Sequence, residues 1–185
     1  MLKFIVKILS VFAVLCVFLS FEACCDETED GKKFSFENKK QKKDSLENLN
    51  KYLVAREKEA IKDYTTKKGI NVVETGTGLC YRIINQGDGE LIKTGDIVTL
   101  DYQIRLLNDS LLYHSGEKGF KIFEVGHGGV ESGLEEAVLL LHKGDEAEII
   151  IPSHLAYGLL GDGDRIPSRT TIVYNVKIID NQSKR

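Results

Sequence analysis

The sequence predicts an α+β fold: an antiparallel β-sheet wrapped around one α-helix, preceded by a signal segment and a charged lead helix. Three observations carry that expectation. From Ile70 onward, stretches such as "GLCYRIIN" and "GDIVTLDYQIRLL" alternate apolar and polar residues, the two-residue period of half-buried strands. Within the same region a single stretch, "LEEAVLLLHKG", has helical spacing, and Gly144 stops it. Ahead of both, the composition shifts from an apolar run to a charge-rich stretch with few apolar groups.

In chain order, residues 1–23 read as a signal peptide. Lys3 and Lys7 precede the apolar run "ILSVFAVLCVFLSF", which is shorter than the ~20 residues a membrane-spanning helix needs. The following "FEAC" resembles a bacterial lipobox, with Cys24 as the lipidated first residue of the mature chain; Phe21 and Glu22 depart from that pattern. Residues 24–43 are polar and charged and read as a flexible tether. An amphipathic lead helix is expected over 44–69: "DSLE" offers an N-cap, Leu46, Leu49, Leu53, Ala60 and Tyr64 recur at helical intervals, and Gly69 closes it. Its apolar stripe has three candidate partners: the following domain, a second copy, or another protein. Residues 70–182 form the folded domain, with further strands at "FKIFEV", "EAEIIIP" and "TIVYNVKII" and a core of its own.

The bulk numbers exclude several functions. A net charge of −3 gives no electrostatic support for nucleic-acid binding. The four cysteines show no disulfide framework and no zinc spacing, and Cys80 reads as a small core residue. His114, His127, His142 and His154 lack metal spacing, "GDGD" lacks the other ligands of a calcium loop, and "GHGG" lacks a phosphate-binding context. No cofactor is expected.

One loop asks for more. "IPSHLAYGLLGDGDRIP" places the chain's two prolines around Tyr157 and a glycine-rich stretch. Turn chemistry accounts for the glycines but not for the tyrosine, and a rigid sheet that carries an aromatic into a loop presents it for binding.

The order "VTLDYQI", "LLYHS", "FEVGHGGVESGLEEAV", "HLAYG", "RIPSRTTIVYNVKII" is similar to the FK506-binding-protein family of peptidyl-prolyl isomerases, over roughly Thr77 to Asp180. The signal, the lead helix and "LNDSLLYHS" resemble its gliding-motility-associated lipoprotein branch in bacteroidetes. The resemblance implies an apolar cup for a proline ring, lined by Tyr102, Tyr113, Phe123, Val130, Leu134, Tyr157, Ile166 and Tyr174. Tyr157, Tyr102, Tyr113 and His114 take the catalytic positions, and the Tyr157 hydroxyl and the Glu131 backbone N–H would hold substrate carbonyls. Taken without the resemblance, Tyr102 and Phe123 also read as plain core residues of alternating strands. The departures are His114 in place of an aspartate, Leu134 in place of a tryptophan, Ser168 in place of a second proline, and Glu131 in place of an aliphatic residue whose backbone alone is needed. The implied protein is an isomerase for proline-containing polypeptide clients, lipid-anchored at the outer membrane of the cell envelope. The alternative is a weakly active or inactive isomerase-fold lipoprotein, serving as a chaperone or as a part of a motility or secretion machine.

Overall fold

The computed structural model describes residues 29–183. The expected signal peptide and the expected lipidation site, Cys24, lie outside them.

Helix α1 runs Glu29–Lys68. It starts well before Asp44, so residues 29–43, expected as a flexible tether, are helical. The reason lies in propensity: this stretch is rich in Lys, Glu and Gln, which favour helix, and contains no proline. Such a segment has no apolar rhythm to reveal it. The expected stripe also shifts. Leu46 and Leu49 are 63% and 49% exposed, and Ala60 is exposed; of the expected stripe Tyr64 is buried, and the packed face reaches it through Glu57 and Ile61, at the four- and three-residue steps that share one side of a helix.

The compact unit begins at Asn50, inside α1. Its strands are β1 (Val73–Glu74), β2 (Cys80–Asn85), β3 (Asp96–Leu106), β4 (Leu111–His114), β5 (Lys121–Glu124), β6 (Glu146–Ile151) and β7 (Ile172–Ser183). All pair antiparallel in the order β1-β2-β6-β7-β3-β4, with β5 sharing the β3 edge with β4. Two short helices, α2 (Ser115–Lys118) and α3 (Ser132–Val138), complete the domain. The strands β1 and β4 and helix α2 are additions to the expected elements; each is too short to set up a period. Helix α3 stops short of Gly144, because Leu141 N–H turns back to the Val138 carbonyl and the Leu141 carbonyl accepts from Ile92 N–H.

Alternation gives the sheet two apolar faces. The inner face sets Val98, Leu100, Tyr102 and Ile104 of β3 beside Ile149 of β6 and Ile172, Tyr174, Val176 and Ile178 of β7, and α3 packs on it through Leu134, Ala137 and Val138. Gly133 allows the close approach: a Cβ there would stand 2.4 Å from Ile151 Cγ2. On the outer face, Ile150 and Val173 are covered by Ile61 and Tyr64 of α1, and Cys80, the register partner of Ile150 on β2, is buried in the same cluster. The Tyr64 hydroxyl donates to Glu148, 3.0 Å away, and Arg82 clamps the other oxygen of that carboxylate through Nε at 2.8 Å and Nη2 at 2.6 Å.

Candidate functional site: an aromatic cup with a charged floor

The inner face of the sheet brings the expected cup residues together. Tyr102 of β3, Tyr113 of β4, Phe123 of β5, Leu134 of α3, Ile166 of the β6–β7 loop and Tyr174 of β7 are buried in one apolar cluster. Val130 and Tyr157 are partly buried against it. The Tyr102 and Tyr174 rings sit 6.1 Å apart at 43°, a tilted aromatic pair.

The loop carrying Tyr157 and Ile166 is tied down at several points. Pro152 ends β6, a 3-10 turn follows at Ser153–Leu155, and Arg169 N–H donates to the Gly158 carbonyl at 2.8 Å to close the loop. Gly161 sits at φ 74°, where a Cβ would collide with the Ile166 carbonyl at 2.1 Å; only glycine allows this crossing. The Asp162 carboxylate organises the tip. It accepts from the Tyr113 hydroxyl at 2.5 Å and from the backbone N–H groups of Asp164 at 2.9 Å and Ile166 at 2.8 Å. Burial, and then the Asp162 bond, push the Tyr113 phenol up to about 12. Arg165 lies over the Tyr113 ring at 5.1 Å and pairs with Glu117 of α2. The "GDGD" stretch is thus a loop organiser built on Tyr113.

His114 does not join the cup. Strand alternation turns it away from the face that Tyr113 uses, and its ring rests over Gly116, where a Cβ would stand 2.9 Å from Nδ1.

The floor holds the main departure from expectation. Glu131 contributes more than its backbone. It sits at the extended N-cap of α3 and is only 8% exposed, with its carboxylate turned into the cup. That carboxylate accepts from the Tyr157 hydroxyl in a short hydrogen bond, from the Tyr174 hydroxyl at 2.8 Å and from Lys121 Nζ at 3.1 Å. Lys121 Nζ also donates to the Tyr174 hydroxyl at 2.8 Å, and lies 5.5 and 5.3 Å from the Tyr102 and Tyr174 ring centroids. Burial by itself would raise the Glu131 carboxyl; Lys121, Tyr157, the residue's own backbone amide and Tyr174 outweigh it and hold the group below the usual carboxylate value. Burial and the Glu131 bond push the Tyr157 phenol well above its ordinary value, and burial does the same to Tyr174. Lys121 was missed in the sequence, because a lysine alternating with apolar residues on a short strand reads as a solvated side chain.

Among the described residues no group of His, Cys, Asp and Glu is placed to hold a metal ion. The site gathers aromatic side chains, hydroxyl and ammonium donors and one buried carboxylate. Together with the sheet-and-helix fold it sets an aromatic cluster beside a buried lysine–glutamate pair. Residues 89–179 match the model of the family described as FKBP-type peptidyl-prolyl cis-trans isomerase, and the fold that carries them is of the FKBP type. It is 37% identical over 120 residues to the probable FKBP-type peptidyl-prolyl cis-trans isomerase FkpA of Neisseria meningitidis serogroup B, covering 64% of this chain and 43% of that protein. It is 33% identical over 120 residues to the FKBP-type 22 kDa peptidyl-prolyl cis-trans isomerase of Escherichia coli, covering 65% and 57%. The crystal structure of FkpA from Escherichia coli superposes with a TM-score of 0.62 at 26% identity, covering 96% of this chain and 82% of that one. The chain spans about half the length of these curated relatives.

Proposed function

We propose that this protein is a peptidyl-prolyl cis-trans isomerase acting on proline-containing segments of polypeptide clients in the cell envelope. The observation that carries the reading is the cup itself: Tyr102, Phe123, Leu134, Ile166 and Tyr174 buried in one cluster, with Tyr157 leaning on it from a tied loop. The chemistry asks for no more than such a cup. Rotation about an X–Pro bond crosses a barrier of about 18–20 kcal/mol because it breaks amide resonance, and it makes and breaks no covalent bond. A wall that fits the proline ring and the twisted amide better than the planar one lowers that barrier. A thousandfold acceleration asks for about 4 kcal/mol of such preference. Tyr113, bonded to Asp162, ties the loop to β4 of the cup.

The test is turnover of a short peptide with a central Leu-Pro bond, followed as cis-trans exchange. The wild-type chain should accelerate exchange, and Tyr157→Ala should cut kcat/KM about tenfold or more while the protein still melts cooperatively. No acceleration by the folded wild type would sink the enzyme reading and leave a binding module, serving as a chaperone or as a component of a motility or secretion machine. One observation favours low turnover: the Tyr157 hydroxyl is already engaged by Glu131.

The envelope location rests on the sequence before residue 29, where a short apolar run leads to "EAC". Lipidation of Cys24 would tether the domain to the outer membrane, with α1 between lipid and cup. Cys24→Ser should leave the protein unlipidated; unchanged mass and unchanged membrane fractionation in that variant would remove the tether.

A further inference from the structure

The two groups expected to receive substrate carbonyls both serve Glu131 in the free protein. The Tyr157 hydroxyl donates to its Oε1, and the backbone amide of Glu131 acts on its own carboxylate. Tyr174 donates to the same oxygen from the cup floor. Lys121 holds the carboxylate in place at 3.1 Å, with its side chain 20% exposed and that of Glu131 5% exposed. A tyrosine hydroxyl has a single proton to donate. While Glu131 accepts it, a peptide carbonyl cannot.

From this arrangement we propose that the Glu131 carboxylate is an internal competitor for the substrate carbonyl, latched by Lys121, and so a residue that sets affinity in this site. The inference rests on the isomerase reading and deepens it. A proline peptide must displace a charged acceptor from Tyr157 before its own neutral carbonyl can bind there. Charge-assisted hydrogen bonds are roughly twice as strong as neutral ones, so the exchange is unfavourable and the wild-type cup binds weakly. Removing the charge should free the donor. An apolar replacement of Glu131 calls for replacing Lys121 as well, since the ammonium would lose its acceptor, whereas Gln keeps an amide oxygen for it.

The experiment compares the full chain with E131Q, which keeps the shape of the floor, and with K121M/E131L, which replaces the pair by apolar side chains of similar length. Each is combined with Y157F. Binding of a Leu-Pro tetrapeptide is measured by titration, alongside kcat and KM for its isomerisation and a melting curve. E131Q should bind the peptide about threefold tighter and K121M/E131L about tenfold tighter, the latter equal to ~1.4 kcal/mol, and the gain should appear in KM. Y157F should cost at least threefold more in the K121M/E131L background than in the wild-type background, because only there is the hydroxyl available to substrate. Should K121M/E131L fail to fold, E131Q decides alone. If wild type isomerises the peptide but the folded variants bind it no tighter, or Y157F costs the same in both backgrounds, the competitor is overturned and the isomerase reading stands. If neither wild type nor any variant binds or isomerises the peptide, both are overturned.

Discussion

Glu131 shows how far one side chain can reset a site. A buried carboxylate is tolerated only when its donors outweigh the loss of water, and three side chains do so here. That balance has a pH signature. The folded carboxyl is held below its ordinary value of ~4.3. It therefore adds stability above that value and loses it as the pH falls through the lower folded value. Between about pH 5 and pH 3 the wild-type melting temperature should fall more steeply than that of E131Q; parallel curves would show that Glu131 does not carry this dependence. The apolar half of the site was legible in the sequence: alternation marked Tyr102, Phe123 and Tyr174 as core, the proline-bounded loop singled out Tyr157, and the family resemblance gathered them into one cup. The charged half was not. That Lys121 and Glu131 meet depends on β5 lying on β3 and on α3 starting over the cup, and no spacing in the chain announces such a meeting.

Among the elements, α1 departs most from what its sequence suggests. Its second half belongs to the fold. Ile61 and Tyr64 cover Ile150 and Val173, and burying side chains of this size contributes about 1.5–3 kcal/mol each. Glu57 adds a clip: its Oε1 accepts from Ser153 N–H at 2.6 Å and from the Thr171 hydroxyl at 2.6 Å, and its Oε2 accepts from the Ser153 hydroxyl at 3.0 Å. Ser153 opens the loop that carries Tyr157 and Ile166, and Thr171 closes it, so one carboxylate on α1 gathers both ends. Residues 50–185 should melt as the full chain does, whereas residues 70–185 should lose several degrees or more, and Glu57→Ala should account for part of that loss. Equal melting of the two fragments would show that α1 is an attachment only. The expectation that 70–182 relies on its own core came from reading a single apolar face; Ile150 and Val173 make β6 and β7 apolar on both sides, a sign that something covers the second.

At the scale of the whole molecule, the class of fold followed from period and composition, while strand order did not, since alternation says which face a strand buries but not which neighbour it takes. The order β1-β2-β6-β7-β3-β4 puts the last strand of the chain in the interior of the sheet, paired along its length with β3 on one side and with β6 on the other. This placement has a consequence for biosynthesis. Until β7 has been made, the ribbons β2–β6 and β3–β4–β5 have no strand between them, and the cup lacks Tyr174 as its floor. Pairing between segments so distant in the chain is slow to form and cannot begin early. The sheet is therefore completed only once β7 has been synthesised, however early its other strands leave the ribosome.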